Sequence, residues 1–204
     1  MRDLGLADYL QTYQAMQAYT TTRDTGSADQ LWIAEHPPVY TTGLGGRPEH
    51  FPRGASGIPL HRVDRGGQVT FHGPGQVMLY PLLDLARLHL SVRGLVFRLE
   101  QTVIELLAAY GLAAERRTGM PGVYTASGKI AALGLRVRNG RSYHGLALNI
   151  DVSLAPYDAI NPCGHEGLAV TRTRDLGLDL CVATAGPEMA RLFASMLTDV
   201  QAKG

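Results

Sequence analysis

The sequence predicts an α/β chain of the α+β type, a mixed β-sheet flanked by helices. Three observations predict it. Three stretches repeat apolar residues at helical spacing. Several shorter apolar runs are bounded by Gly, Pro or Asn, as strands are. The strand-like runs outnumber the helical ones and gather in hairpins, so this is not a strict alternation of strand and helix.

In chain order, residues 8–24 read as a helix with Tyr9, Tyr13, Met16 and Thr20 on one face. LWIAEH (31–36) reads as a strand stopped by Pro37-Pro38, and VYTTG as a short second strand. Residues 43–58 carry glycines and prolines without periodicity and read as loop. IPLHRVD (58–64), QVTF and QVMLYPLLDL read as further strands, the last two separated by HGPG. Residues 91–110 give the clearest helix, with Ser91 as cap and Val96, Leu99, Val103, Leu106 and Tyr110 as its apolar stripe. KIAALGLRV and SYHGLALNI flank Asn139-Gly140, the preferred pair for a tight primed turn, and so read as a hairpin. DLCVATA reads as a short apolar strand. A final helix runs from about 187 to 201, with Met189, Leu192, Phe193, Met196 and Val200 inward.

The 204 residues suit one domain, 1–204, large enough to bury a core. A formal net charge of +1 gives no overall field that would drive the chain onto nucleic acid or an anionic membrane. The N-terminus, MRDLGLADYL, carries two aspartates and no apolar run, so it does not read as a signal peptide. No eighteen-residue apolar segment occurs. Two cysteines are too few for a disulfide scaffold and point to a reducing, cytoplasmic setting.

Candidate chemistry concentrates in two places. RVDRGGQVTFHGPGQ (62–76) packs four glycines, His72 and two arginines together. Glycines let backbone approach a ligand closely; the plain alternative is a pair of tight turns between strands. Gly122 to Gly128-Lys129 is a near-miss for a P-loop: its spacer is one residue too long, and Ile130 stands where Ser or Thr must bind magnesium. Lys129 opens an otherwise apolar strand, where an isolated lysine most often snorkels to the surface.

The second place is NPCGHEG (161–167). Cys163 reads as a buried thiol, a metal ligand or a nucleophile. The zinc reading lacks a second cysteine at the right spacing, and Cys181 is assigned to its own strand as a structural residue. Pro162 and Gly164 suit a stiff exposed turn, which favours the nucleophile. A nucleophilic cysteine needs a nearby cation to favour its thiolate; Lys129, His72, His144 and His165 are the candidates.

RGGQVTFHGPGQ, GKIAALGLRV, YHGLALNI and INPCG, with HPPVYTTG before them, resemble in order the motifs of the lipoyl(octanoyl) transferases of lipoate biosynthesis. The resemblance runs from roughly residue 31 to 170. It implies the fold of the biotin protein ligase and lipoate ligase catalytic domains. It also implies an enzyme that takes an octanoyl group from octanoyl-acyl carrier protein and holds it as a cysteine thioester. The group then passes to a lysine on lipoyl domains of 2-oxoacid dehydrogenase complexes or on the glycine-cleavage H protein, without ATP, metal or other cofactor. Carried over by motif, Cys163 is the nucleophile and Lys129 its proton-shuttling partner. Arg65, Gly66, Gly67, Gln68, Val69, Thr70, Phe71 and His72 line the substrate site, together with Ala132, Leu133, Gly134, Gly145, Leu146 and Ala147. Backbone amides near Gly134 or Cys163, or His72, are the candidate oxyanion donors. The chain departs from the family at His165-Glu166-Gly167, where tyrosine, a small residue and glycine are usual. Arg136, Arg138 and Arg141, with Arg116 and Arg117, form a basic cluster suited to an acidic carrier protein or simply to a solvated hairpin end. The competing activities are an ATP-dependent lipoate or biotin ligase, which needs no cysteine, and a non-catalytic acyl-carrier binding protein.

Overall fold

The computed structural model describes residues 1–54, 57–164 and 166–201; the side chains of Cys163 and of residues 199–201 lie outside the description. Along it come β1 (Arg2–Leu6), α1 (Tyr9–Thr22), β2 (Gln30–Glu35), β3 (Val39–Thr42), β4 (Leu60–Arg62), β5 (Val69–His72) and β6 (Gln76–Leu82). Then follow α2 (Val92–Ala109), β7 (Glu115–Arg117), β8 (Met120–Thr125), β9 (Gly128–Arg138), β10 (Arg141–Asn149) and α3 (Val182–Gln201).

The hairpin forms where the sequence predicts it. Asn139 and Gly140 take φ of 50° and 75°, the two left-handed residues that a type I′ turn needs. Its strands become the middle of a seven-stranded sheet of order β1-β2-β6-β10-β9-β8-β7. Only β1–β2 is parallel there. A smaller sheet, β4-β3-β5, holds one parallel and one antiparallel pair. The sheet is therefore mixed, as expected.

Alternation along β6 explains how the large sheet is covered. Val77 and Leu79 face α2 and α3, where Leu99, Val103, Met189 and Phe193 complete the main core. Met78, Tyr80 and Leu82 face the other way, toward Met16 of α1. Asp8 caps α1 by accepting from Gln11 N–H, and Ser91 caps α2 by accepting from Gly94 N–H. In α2, Leu99, Val103 and Leu106 are buried as predicted, whereas Val96 turns to the cavity described below.

Three expectations change. DLCVATA is not a strand: α3 begins at Val182 and runs through it, with Pro187 inside the helix, so Cys181 stands exposed at the helix start rather than in a core. A short apolar run carries no period that separates strand from helix; here its last residue, Ala185, is buried in the main core with Ile33 and Val77. The strand expected over 58–64 shrinks to Leu60–Arg62. β1 was not anticipated, because its five residues are mostly exposed and show no alternation. Val200, expected to face inward, lies outside the described side chains. No helix among the described residues is long and apolar enough to cross a membrane.

Candidate active site

The hairpin strands make the floor of a cavity of about 360 Å³. Gly145 pairs with Gly134 and Ala147 with Ala132, so two cross-strand pairs of minimal side chains leave a trough on one face of the sheet. Met78 and Tyr80 of β6 flank it. Gly145 is required on packing grounds, since a Cβ there would overlap the carbonyl oxygen of Leu79.

The roof is the glycine-rich stretch. Gly66 N–H donates to Leu135 C=O at 2.8 Å, which fastens the loop over β9. The buried Arg65 guanidinium folds the loop by donating to the carbonyls of Gly66, Thr41 and Gln68 and to Thr41 Oγ1. Residues 65 through 70, His72, Lys129, 132 through 134 and 145 through 147 all line the cavity. Phe71 does not. It faces the opposite way, into a cluster with Tyr40, Val152 and Tyr157, because successive strand residues alternate faces.

Lys129 is buried, against the surface reading of an isolated lysine. Its Nζ donates to Pro121 C=O at 2.8 Å and lies 5.4 Å from the Tyr124 ring centroid. Of the two glycines of the P-loop near-miss, one makes room for Lys129 and the other for Ala169, whose carbonyl the Lys129 N–H meets. A Cβ on Gly122 would sit 2.5 Å from Lys129 Cε, and one on Gly128 would sit 2.5 Å from Ala169 O. Gly122 N–H is held by Glu100, a buried carboxylate of α2, at 2.9 Å.

The turn that carries Cys163 is a 3-10 segment, Pro162–Gly164. One contact holds it, and another holds the chain that follows it. Gly164 abuts the Gln68 side chain so closely that a Cβ would not fit. Beyond the turn, the chain returns to Lys129: Lys129 N–H donates to Ala169 C=O at 2.8 Å, and Thr171 N–H donates to Lys129 C=O at 2.9 Å. Asn161 anchors the turn's start through Arg53 and His50 of the loop before β4. The Cys163 side chain and His165 lie outside the described residues.

The histidines are not interchangeable with Lys129. His72 Nδ1 bonds Gln76 Oε1 at 2.7 Å, and Nε2 faces Thr41 Oγ1 at 3.2 Å. Burial pushes its pKa down to about 3. Both ring nitrogens are thus engaged on a neutral ring, which removes His72 from the candidate cations and the oxyanion donors. His144 is also lowered by burial, while its Nε2 meets Asp64 Oδ1 at 3.1 Å. Burial alone would raise the Asp64 carboxyl, but bonds from His144, Tyr143 and Tyr13 outweigh it and hold the carboxyl well below its usual range. The two directions agree if a neutral imidazole donates from Nε2 to a carboxylate.

Sequence reasoning missed Tyr9, Met78, Tyr80, Val92, Tyr124, Gly119 and the start of β8, Met120 and Pro121, all of which line the cavity. Their motif signal is nil; only pairing brings them in. The basic cluster is largely spent on internal partners. Arg136, Arg141, Arg116 and Arg117 face Asp64, Asp84, Glu100 and Glu115 at 3.1–4.0 Å.

Residues 8–193 match the family model of the lipoyl protein ligase A/B catalytic domain. A protein of Dechloromonas aromatica named octanoyltransferase is 56% identical over 97% of this chain and 96% of its own length. One of the same name from Azoarcus sp. is 55% identical over 97% of this chain and 87% of its own. Among solved structures, a bipartite lipoate protein ligase from Thermoplasma acidophilum superposes with a TM-score of 0.75 at 17% identity, covering 97% of this chain and 82% of that one. Biotin protein ligase from Aquifex aeolicus gives 0.60 at 11%, covering 100% and 72%. At such identities these two structures speak for the fold alone. With the match spanning nearly the whole chain and relatives above half identity along it, the protein belongs to the lipoyl protein ligase A/B catalytic-domain family.

Proposed function

We propose that this protein is an octanoyltransferase that works through a thioester on Cys163, with Lys129 as its proton partner. The donor is octanoyl-acyl carrier protein. The acceptor is a lysine of the lipoyl domains of 2-oxoacid dehydrogenase complexes or of the glycine-cleavage H protein. The observation that supports this most is the backbone path: the Pro162–Gly164 turn packs on Gln68, a few residues before the chain pairs with Lys129, and both Gln68 and Lys129 line the cavity. The name borne by relatives at 48–56% identity supports the acyl group.

The chemistry follows from those parts. The Cys163 thiolate attacks the carrier's thioester carbon. The carbon–sulfur bond to the carrier breaks, and the departing thiolate takes a proton from the Lys129 ammonium. The acceptor lysine then attacks the Cys163 thioester, an amide forms, and the thiolate is released. The acceptor's surplus proton returns to Lys129. Converting a thioester to an amide is downhill, so no nucleotide is required. The tetrahedral adducts need N–H donors aimed at their oxygen; with His72 engaged elsewhere, backbone amides around the turn and β9 take that part. Ala132, Gly134, Gly145 and Ala147 give the acyl chain a smooth bed.

The test is intact mass spectrometry after mixing the protein with octanoyl-acyl carrier protein in the absence of ATP. A gain of one octanoyl group, labile to hydroxylamine and absent from Cys163→Ala, is expected. No adduct, with transfer to a lipoyl domain appearing only once ATP is added, would replace this reading with the ATP-dependent ligase.

A further inference from the structure

His144 lines the cavity but has no part in the steps above. It sits in β10 opposite Leu135, yet its φ is 58°. A strand residue with a Cβ adopts that conformation only when its surroundings impose it. Here they do. The imidazole is ring-stacked with Tyr13 and with Tyr143, with centroids 5.1 Å away in each case. Its Nε2 is held by Asp64 Oδ1. The hydroxyls of Tyr13 and Tyr143 donate to the same carboxylate. Asp64, Tyr13 and Tyr143 do not line the cavity, so they stand behind the ring as its support.

The register gives the ring its place. Lys129, beside Val170, lies toward one end of β9 with its Nζ reaching forward to Gly122, next to the Ala131 carbonyl, and the His144–Leu135 pair lies toward the other. Between them run the small pairs Ala132–Ala147 and Gly134–Gly145. From Ala132 to Leu135 the strand advances about 10 Å. An extended eight-carbon chain, with C–C bonds of about 1.5 Å, spans about 9 Å. A chain whose carbonyl lies near Ala132 therefore ends against the His144 ring. Further carbons would have to displace a stacked, hydrogen-bonded imidazole and strip Asp64 of a donor. That resists extension more than a wall of mobile aliphatic side chains would.

Building on the octanoyl-transfer reading, we infer that His144, held by Asp64, Tyr13 and Tyr143, sets the acyl-chain length by closing the cavity behind the eighth carbon. The ring acts as a wall, not as a proton carrier.

The test compares kcat/KM for hexanoyl-, octanoyl-, decanoyl- and dodecanoyl-acyl carrier protein in the wild type, His144→Gly and His144→Asn. Glycine and asparagine both tolerate a positive φ, so either keeps the strand's path. The ratio of decanoyl to octanoyl transfer is read on one enzyme sample, so it does not depend on the fraction folded. It is expected to rise about tenfold or more in His144→Gly and less in His144→Asn. A ratio within about twofold of the wild type in both variants overturns the inference while leaving octanoyl transfer intact. Should the glycine variant fail to fold, the asparagine variant decides. A wild type that transfers no acyl group from any carrier instead sinks the octanoyl-transfer reading on which this rests.

Discussion

Replacing Asp64 with alanine removes one carboxylate and three hydrogen bonds at once. Oδ1 accepts from Tyr13 at 2.9 Å and from His144 at 3.1 Å, and Oδ2 accepts from Tyr143. The consequences differ by donor. The carboxylate side chain is 27% exposed, so water can reach the tyrosine hydroxyls and recover much of their bonding. His144 is 2% exposed and loses its partner behind a wall of rings. An orphaned buried donor costs about 1–3 kcal/mol, and two rehydrated hydroxyls about 0.5–1 kcal/mol each. The sum is a loss of about 2–5 kcal/mol, or roughly 4–20 °C in Tm for a domain of this size. Urea unfolding followed by circular dichroism measures it, with an unchanged m-value showing that the native and unfolded states are otherwise alike. Asp64→Asn, which keeps one acceptor, should lose less. A loss for Asp64→Ala below about 0.5 kcal/mol would refute the argument, because it would mean that water already satisfies the cluster.

Acid should weaken the fold through its histidines. His36, His72 and His144 are all held below their ordinary values by burial, so below about pH 6.5 the unfolded chain binds protons that the folded chain refuses. Stability is therefore full above that pH and falls as pH drops toward the folded value of about 3 for His72, by about 2 kcal/mol for that group between pH 6.5 and 5; a urea midpoint identical at pH 7.5 and 5 contradicts this. Lys129→Met should fold normally, since Pro121 is exposed and its carbonyl can rehydrate, but should slow acyl-enzyme formation about 10²–10⁴-fold in single-turnover mass spectrometry. Gly145→Ala should lose about 3 kcal/mol or more, because its Cβ meets backbone that cannot yield, and should show as insoluble protein or a collapsed thermal transition. Leu99→Ala, at the centre of the main core, should cost about 2–5 kcal/mol in the same assay.

The parts of the site that were legible in the sequence are those whose chemistry demands a residue type at a fixed local spacing. Asn139-Gly140 announces a primed turn because two adjacent positive φ values suit few other pairs. The glycines of 65–75 announce a close approach, and Pro162 and Gly164 a stiff turn. The stripe of α2 follows from helical period alone. Where period fails, so does the reading: DLCVATA is apolar without a repeat, and its last four residues open α3, with Ala185 buried in the main core beside Ile33 and Val77. The P-loop near-miss shows the same limit. Gly122 and Gly128 are glycines for the sake of Lys129 and Ala169, which the linear spacing does not reveal.

The sequence by itself determined the class of chain, the hairpin that forms the trough, and the stretches that gather around it, because turns, caps and periods are local and each is written in a few neighbouring residues. Tertiary structure alone decided which of those residues act together. It buried Lys129 beneath Pro121 and paired its backbone with Ala169 and Thr171, far along the chain. It turned Phe71 away from the cavity, and it neutralised His72 and His144. It also set Tyr13 and Tyr143 on Asp64 across 51 and 79 residues of chain. Burial, pairing and charge are properties of what surrounds a side chain in space, and the register of the strands, not the order of the residues, fixes that surrounding.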